Sequence, residues 1–375
     1  MRPAMRLLPV ILMALVGAFV LARPAAAGEC SHAYYPGSYS CETPSGFEVS
    51  VPEIDFSQPA TSVEAHSETG ETFVDPGIPE DSAYGRYLYG RQADNANVYA
   101  EPSRGAALVR NVGDGFLYAT VNNWQQVNGE RWYQINAGEY MHEDDLRLVE
   151  ASDFRGVVVA QQPPRPFGWI VQDVTPSRVA DGEPDESFDE LLRHDFFQVY
   201  DAVQGEEGWI WYDIGDGRWI RQTYVSLVHV NPRPAGVGPN DFWTEVDLYE
   251  QTFAAYEGDR MVYATLISSG LNRWPTREGL FQVWDRLESY KMSGAEGQVD
   301  YYYIEDVPYI MYFDDWHGIA LHGTFWHDRF GYKHSHGCVN MPILDAEWTY
   351  RWSAEAPNDL WVWVHTSDPV ENAGL

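Results

Sequence analysis

Residues 132–149, WYQINAGEYMHEDDLRLV, align without a gap to residues 211–228, WYDIGDGRWIRQTYVSLV, at a constant offset of 79. Trp, Tyr, Ile, Gly, Leu and Val coincide at matched positions. Upstream, AEPS around Glu101 pairs with GEPD around Glu183, and GFLYATV pairs with DFFQVYDAV. A period near 80 exceeds the roughly 20–50 residues of a solenoid unit, so the duplication points to two copies of one small domain. Within each copy, short apolar runs alternate with Gly, Asn and Asp, the texture of short strands and turns. Two small β-barrels are expected, at 85–150 and 151–230.

The rest of the 375 residues divides around them, and the length suits two or three domains. Arg2 and Arg6 precede an apolar run from Leu7 to Ala22, followed by an A-x-A site at Ala25 and Ala27. This reads as a secretory signal, 1–27, cleaved after Ala27. An uncleaved anchor is the alternative, but the run falls short of the ~20 residues a spanning helix needs. Residues 28–84 read as an acidic arm with no persistent period. NPRPAGVGPN, 231–240, is a Pro- and Gly-rich linker. A third domain is expected at 241–368, with a tail at 369–375.

The formal charge is −32, and removing the signal, with three arginines and no acid, leaves −35. Such a surface repels phosphate backbones, which argues against nucleic acid as a partner. Three cysteines are present. Cys30 and Cys41 flank ten residues near the mature N-terminus, and in an exported protein a disulfide between them is one reading. Cys338 is left without a partner, and a free thiol in an oxidising space is a liability unless buried or used.

The third domain begins with period-two alternation through TEVDLYEQTFAAYEGDRMVYATLISSG, with a tight turn at 257–260. GLFQVW, VPYIMYF, GIALHG and LWVWVHT add strands. One helix is expected after Asn340, because Pro342 suits a first turn and Leu344, Trp348 and Trp352 share a face. The fold class is therefore mainly β.

Between the strand GIALHG and that helix lies HGTFWHDRFGYKHSHGCVNM, with four histidines and one cysteine. A thiol attacks a carbonyl as its thiolate, and an imidazole near neutrality can take the proton. Gly337 allows a tight turn that aims backbone N–H groups at a developing oxyanion, each worth about 3 kcal/mol in the transition state. A live nucleophile is expected to titrate below the ordinary thiol value of ~8.5. His336, two residues from Cys338, competes with His322 as base. Four histidines and a thiol also make a zinc reading, but the spacing lacks a known ligand pattern and H-E-x-x-H is absent.

HGTFWHDRFGYKHSHGCVN resembles the signature of the YkuD-type L,D-transpeptidases, a His-Gly pair followed after a variable loop by Ser/Thr-His-Gly-Cys. WPTREGLFQV, with Pro275, Thr276 and Gly279, resembles the family's Thr-Pro-x-Gly-x-Phe turn with a small departure, and VPYIMYF resembles its cleft strand. The two duplicated units resemble bacterial SH3-like domains. The resemblance implies a β-sandwich catalytic domain in which Cys338 is the nucleophile and His322 the base, its ring oriented by the carbonyl of Gly323. It implies that Ser335, His336 and Gly337 surround the oxyanion hole, with N–H groups of His336, Gly337 and Cys338 as donors. Asn340 matches a substrate-holding position, and Met311 and Trp326 are cleft-wall candidates, each as readily core. His327 and His334 are loop or substrate-facing residues, and Asp328 and Arg329 are solvated.

The function so implied is an exported enzyme that joins third-position residues of peptidoglycan stem peptides through a cysteine thioester, with no cofactor and no metal. The SH3-like units are then spacers or binders of wall polymer. Water as acceptor makes the alternative an L,D-carboxypeptidase or endopeptidase. A wall-binding scaffold with an idle site is the non-enzymatic alternative.

Overall fold

The computed structural model describes residues 72–80, 82, 84, 85 and 87–374. The signal segment, Cys30, Cys41 and most of the acidic arm lie outside the described residues.

Two seven-stranded sheets organise the described chain. The first runs Phe73–Val74, Val157–Val159, Arg260–Leu266, Thr252–Glu257, Phe242–Asp247, Trp361–His365 and Gly279–Gln282. Thr252–Glu257 and Arg260–Leu266 form the hairpin anticipated around the 257–260 turn. Their side chains alternate between two cores. Phe253 and Ala255 face the inside of the sandwich, while Ala254 and Tyr256 face the outside. Both faces are covered, so both sets of alternating side chains are buried.

The second sheet centres on the long strand Tyr302–Asp314. One edge of that strand pairs with Asp285–Gly294. The other edge pairs with Phe116–Val121 near its start and with Ile319–Thr324 near its end. Ile319–Thr324 continues to Val339–Pro342, and Phe116–Val121 continues to Leu88–Gln92 and Leu146–Val149. The sandwich core between the sheets holds Val246, Phe253, Ile310, Met311, Leu321 and Met341. The expected helix is Ile343–Ser353, with Pro342 at its N-cap. Leu344 is buried, Trp348 stacks on Tyr263 at 4.0 Å, and Trp352 stacks on Phe242 at 4.9 Å.

The duplication is visible in strand placement. Leu146–Val149 and Val225–Val228 lie at the same offset of 79, and Glu139–His142 is matched by Trp219–Arg221. The two units then diverge in what they do with their strands. The first donates Phe116–Val121 to the second sheet in a parallel pairing. The second lays Phe167, Trp169 and Val228 against the outer face of the other sheet.

Three short segments pair or pack outside the units in which they were expected. Phe73–Val74, expected in the arm, pairs with Val157–Val159, expected in the second barrel. Val157–Val159 itself pairs with Arg260–Leu266 of the first sheet, Val157 opposite Ala264. A three-residue apolar run carries no usable period, and an open sheet edge is satisfied by any strand that reaches it. The tail is not free either, since Pro369–Asn372 is helical and Val370 and Ala373 pack into the second unit's core. Among the described residues no helix is long and apolar enough to cross a membrane.

Candidate active site

His322 lies on Ile319–Thr324, a strand buried at every residue. That strand runs parallel to Val339–Pro342 with Leu321 opposite Val339 and His322 opposite Asn340. Side chains alternate along strands, so residues 338 and 340 share the face that carries residues 320 and 322. Cys338, one residue before its strand begins, is thereby a diagonal neighbour of His322. Cys338, His322 and Asn340 all line one cavity of about 360 Å³. The half-buried thiol points its Sγ at the Gly318 carbonyl, 3.9 Å away.

The turn that presents Cys338 is held by two side chains. Ser335 Oγ accepts from Gly337 N–H at 3.1 Å and donates to the Cys338 carbonyl. Thr276 Oγ1 donates to the Gly337 carbonyl at 2.7 Å and accepts from Gly270 N–H at 2.9 Å. Gly337 has φ +124°, a region that glycine adopts without strain. Its N–H is engaged by Ser335, contrary to the expectation that it serves as an oxyanion donor.

His322 is fixed by its own backbone. Its Nδ1 donates to the Gly323 carbonyl at 3.0 Å, which puts the lone pair on Nε2. Burial lowers its pKa to about 4, against the opposing pull of the Gly323 bond. Burial also pushes the Cys338 thiol up to about 11, opposed by the Ala320 N–H. The direction is opposite to the depressed value expected of a live nucleophile: desolvation disfavours the anion, and no cation offsets it. At rest, both partners are neutral.

A second histidine orders the cavity. The Arg329 N–H donates to His327 Nδ1 at 3.1 Å. The ring's own proton therefore sits on Nε2, which meets the Asn340 amide at 2.8 Å. The structure sets the amide nitrogen at that contact, but two donors cannot share it, so the amide is assigned the flipped way, with its oxygen toward His327 and its NH₂ on the side of the cavity that Asn340 lines. Burial and the neighbouring His334 and His322 hold His327 well below the usual imidazole range, which keeps the ring neutral. Sequence reasoning gave His327 no duty; its spacing from Asn340 carried no signal because the contact crosses a loop.

The other candidates separate clearly. Trp326 lines the cavity, its ring 5.7 Å from that of His322. Exposed His336 stands at the mouth, 3.8 Å from the Trp274 ring, and Arg273 covers the other side of this stack at 3.9 Å from Trp274. Met311 is not a cleft wall. It is fully buried in the sandwich core, where its Sδ accepts from Ser353 Oγ of the helix, because alternation along Tyr302–Asp314 turns it inward. Asp328 is not simply solvated. It accepts from Ser152 and pairs with Arg193 of the second unit at 2.7 Å, tying the 325–334 loop to that unit. Among the described residues no three His, Cys, Asp or Glu side chains gather as a metal site.

The L,D-transpeptidase catalytic domain profile, YkuD, matches residues 241–371. YciB of Bacillus subtilis (strain 168), which bears an L,D-transpeptidase name, is 31% identical over 149 residues, 35% of this chain and 73% of YciB. The structure of a cysteine-to-serine mutant of Enterococcus faecium L,D-transpeptidase is 28% identical, with 33% of this chain and 50% of that one covered and a TM-score of 0.30. The catalytic domain of E. faecium L,D-transpeptidase, solved by NMR, is 29% identical over 34% of this chain and 98% of the domain, also with a TM-score of 0.30. This chain thus spans half the length of the longer E. faecium structure. With that profile match and with the coverage of YciB, the chain belongs to the YkuD family of L,D-transpeptidases.

Proposed function

We propose that the chain is an exported, cysteine-dependent L,D-transpeptidase of the cell envelope that joins third-position residues of peptidoglycan stem peptides. The observation that carries this reading is the diagonal placement of Cys338 and His322 on one sheet face, opening into the same cavity. Sγ of Cys338 attacks the carbonyl carbon of the third residue of a donor tetrapeptide. The S–C bond forms as the thiol proton passes to Nε2 of His322, and the carbonyl oxygen becomes an oxyanion facing the His336 and Cys338 N–H groups. Each such donor is worth about 3 kcal/mol there. Collapse breaks the C–N bond, and the terminal D-Ala leaves with the proton from His322. The side-chain amine of a second stem then attacks the thioester, His322 takes its proton, and the thiol is restored.

Buried, neutral partners suit this sequence. A thiolate–imidazolium pair at rest requires two charges in a poorly solvated place, whereas proton transfer concerted with attack lets the charge develop where donors await it. The Asn340 NH₂ adds a donor for a donor-peptide carbonyl or carboxylate. The two duplicated units, read as SH3-like domains, brace the site and offer contact with wall polymer. No metal or organic cofactor enters any step. Incubating the full-length protein with disaccharide-tetrapeptide, followed by mass spectrometry, tests this. Dimer with loss of D-Ala is expected. Release of D-Ala alone makes the protein a carboxypeptidase, and unchanged turnover by Cys338→Ala ends the assignment.

A further inference from the structure

One wall of the catalytic cavity comes from outside the family domain. Phe116 lines the cavity, yet it belongs to the first β unit. Its N–H donates to the Tyr301 carbonyl at 2.8 Å, and the parallel register sets Phe116 opposite Tyr302 and Tyr118 opposite Ile304. Behind the strand, Arg91 donates to the carbonyls of Gly115 at 2.8 Å and Leu117 at 3.0 Å. The same guanidinium sits 5.1 Å from the Phe116 ring centre and 5.4 Å from that of Tyr118. Tyr118 meets Phe325 edge-on at 5.7 Å, and Tyr89 stacks on Phe325 at 3.5 Å, directly before the cavity residue Trp326. The ring of Phe116 is thus held by backbone pairing and by a cation, and it stays half-buried with one side open to the cavity. An apolar ring fixed in this way costs no ordering when a ligand packs on it.

The cavity lining is chemically mixed. Arg273, Asp300 and His336 are among its polar lining residues, whereas Phe116, Met292 and Ile304 are among its apolar ones. A stem peptide has the same mixture, with amides and a carboxylate along the main chain and methylenes along a diamino acid side chain. We propose that Phe116 is a specificity residue for the acyl donor, covering the methylene-bearing side chain of the stem peptide, and that the first β unit is a built-in part of the donor site. This inference rests on the reading that stem peptides acylate Cys338.

The test uses the full-length protein with Phe116→Ala and, as a milder change that keeps an apolar group in place, Phe116→Leu. Three quantities are measured: steady-state constants with tetrapeptide donor, calorimetric affinity for tetrapeptide in a Cys338→Ala background, and the rate of Cys338 alkylation by iodoacetamide. Phe116→Ala is expected to raise KM and Kd roughly tenfold and Phe116→Leu less, the scale of losing methylene-sized contacts from a pocket. kcat and the alkylation rate are expected to stay within about twofold. Unchanged Kd in both folded variants overturns the proposal, as does a loss of alkylation that matches the loss of turnover, which would mean a disturbed thiol. Absence of turnover in the unsubstituted protein, with normal tetrapeptide affinity, refutes the proposed reaction instead and leaves the binding comparison readable.

Discussion

Raising the pH around the resting protein tests the neutral-pair description. Burial moves the Cys338 thiol from 9.0 to about 11, so at any pH below 9 its thiolate is about a hundredfold rarer than that of an ordinary cysteine. A more basic thiolate is also more nucleophilic, with a Brønsted slope of about 0.4–0.5, which returns roughly six- to tenfold. Alkylation of Cys338 by iodoacetamide at pH 7 is therefore expected to run about tenfold slower than that of a free cysteine peptide. It should rise tenfold per pH unit from 7 to 10 without levelling. His322→Asn should leave that slope in place, because the thiol's position follows from burial. The same variant should lower acyl transfer by about 10²- to 10⁴-fold, the usual worth of a general base. Acyl transfer should keep its acid limb near the His322 value of about 4, below which Nε2 is already protonated. A plateau in alkylation below pH 8 would refute the reasoning, since it would mean a preformed thiolate–imidazolium pair.

Other consequences follow from the same contacts. Asp345 is fully buried, accepts from Tyr263 OH at 2.6 Å and Gly156 N–H at 2.9 Å, and has its pKa raised by burial to about 6. A folded-state value above the unfolded 3.8 means that the stability it contributes is present below pH 3.8 and is lost as pH rises through 6. The loss amounts to about 3 kcal/mol by pH 8. Asp345→Asn should remove this component from melting curves taken at pH 4 and 8, and an unaltered pH dependence would contradict it. Thr276→Val leaves the buried Gly270 N–H and Gly337 carbonyl without partners and should cost about 1–3 kcal/mol in denaturant titration, together with a loss of acyl transfer. Asn340→Asp keeps an acceptor for His327 Nε2 but removes the NH₂ that faces the cavity. It should lower kcat/KM about 10- to 100-fold without lowering the melting temperature, and a melting loss of the same scale would mean that the amide serves only packing.

What could be read from the sequence was what repeats or alternates locally. The duplication at offset 79 located strands in both units, and the period-two run before Gly270 located the first catalytic hairpin. The helix after Pro342 followed from its apolar spacing, and the mainly β class followed from the whole texture. Contacts across the chain left no such trace. Nothing local marks Val157–Val159 as a strand of the first sheet, or Phe116 as a cavity wall, because both depend on which open edge a short strand meets. Likewise Met311 carries the same alternation whether it faces cleft or core, and only the register of Tyr302–Asp314 decides. The direction of the thiol's shift left no trace for a related reason: proximity in sequence to four histidines does not tell how the fold desolvates the sulfur.

The central claim is that the Cys338 sulfur carries the acyl group. Full-length protein mixed briefly with tetrapeptide donor and quenched in acid should show, by intact-mass and peptide mass spectrometry, one acyl group on the peptide containing Cys338, with one D-Ala released for each. The account predicts that this adduct disappears in Cys338→Ala and fails to accumulate in His322→Asn. Cross-linking by Cys338→Ala at the rate of the unsubstituted protein, or an adduct on any other residue, would contradict it.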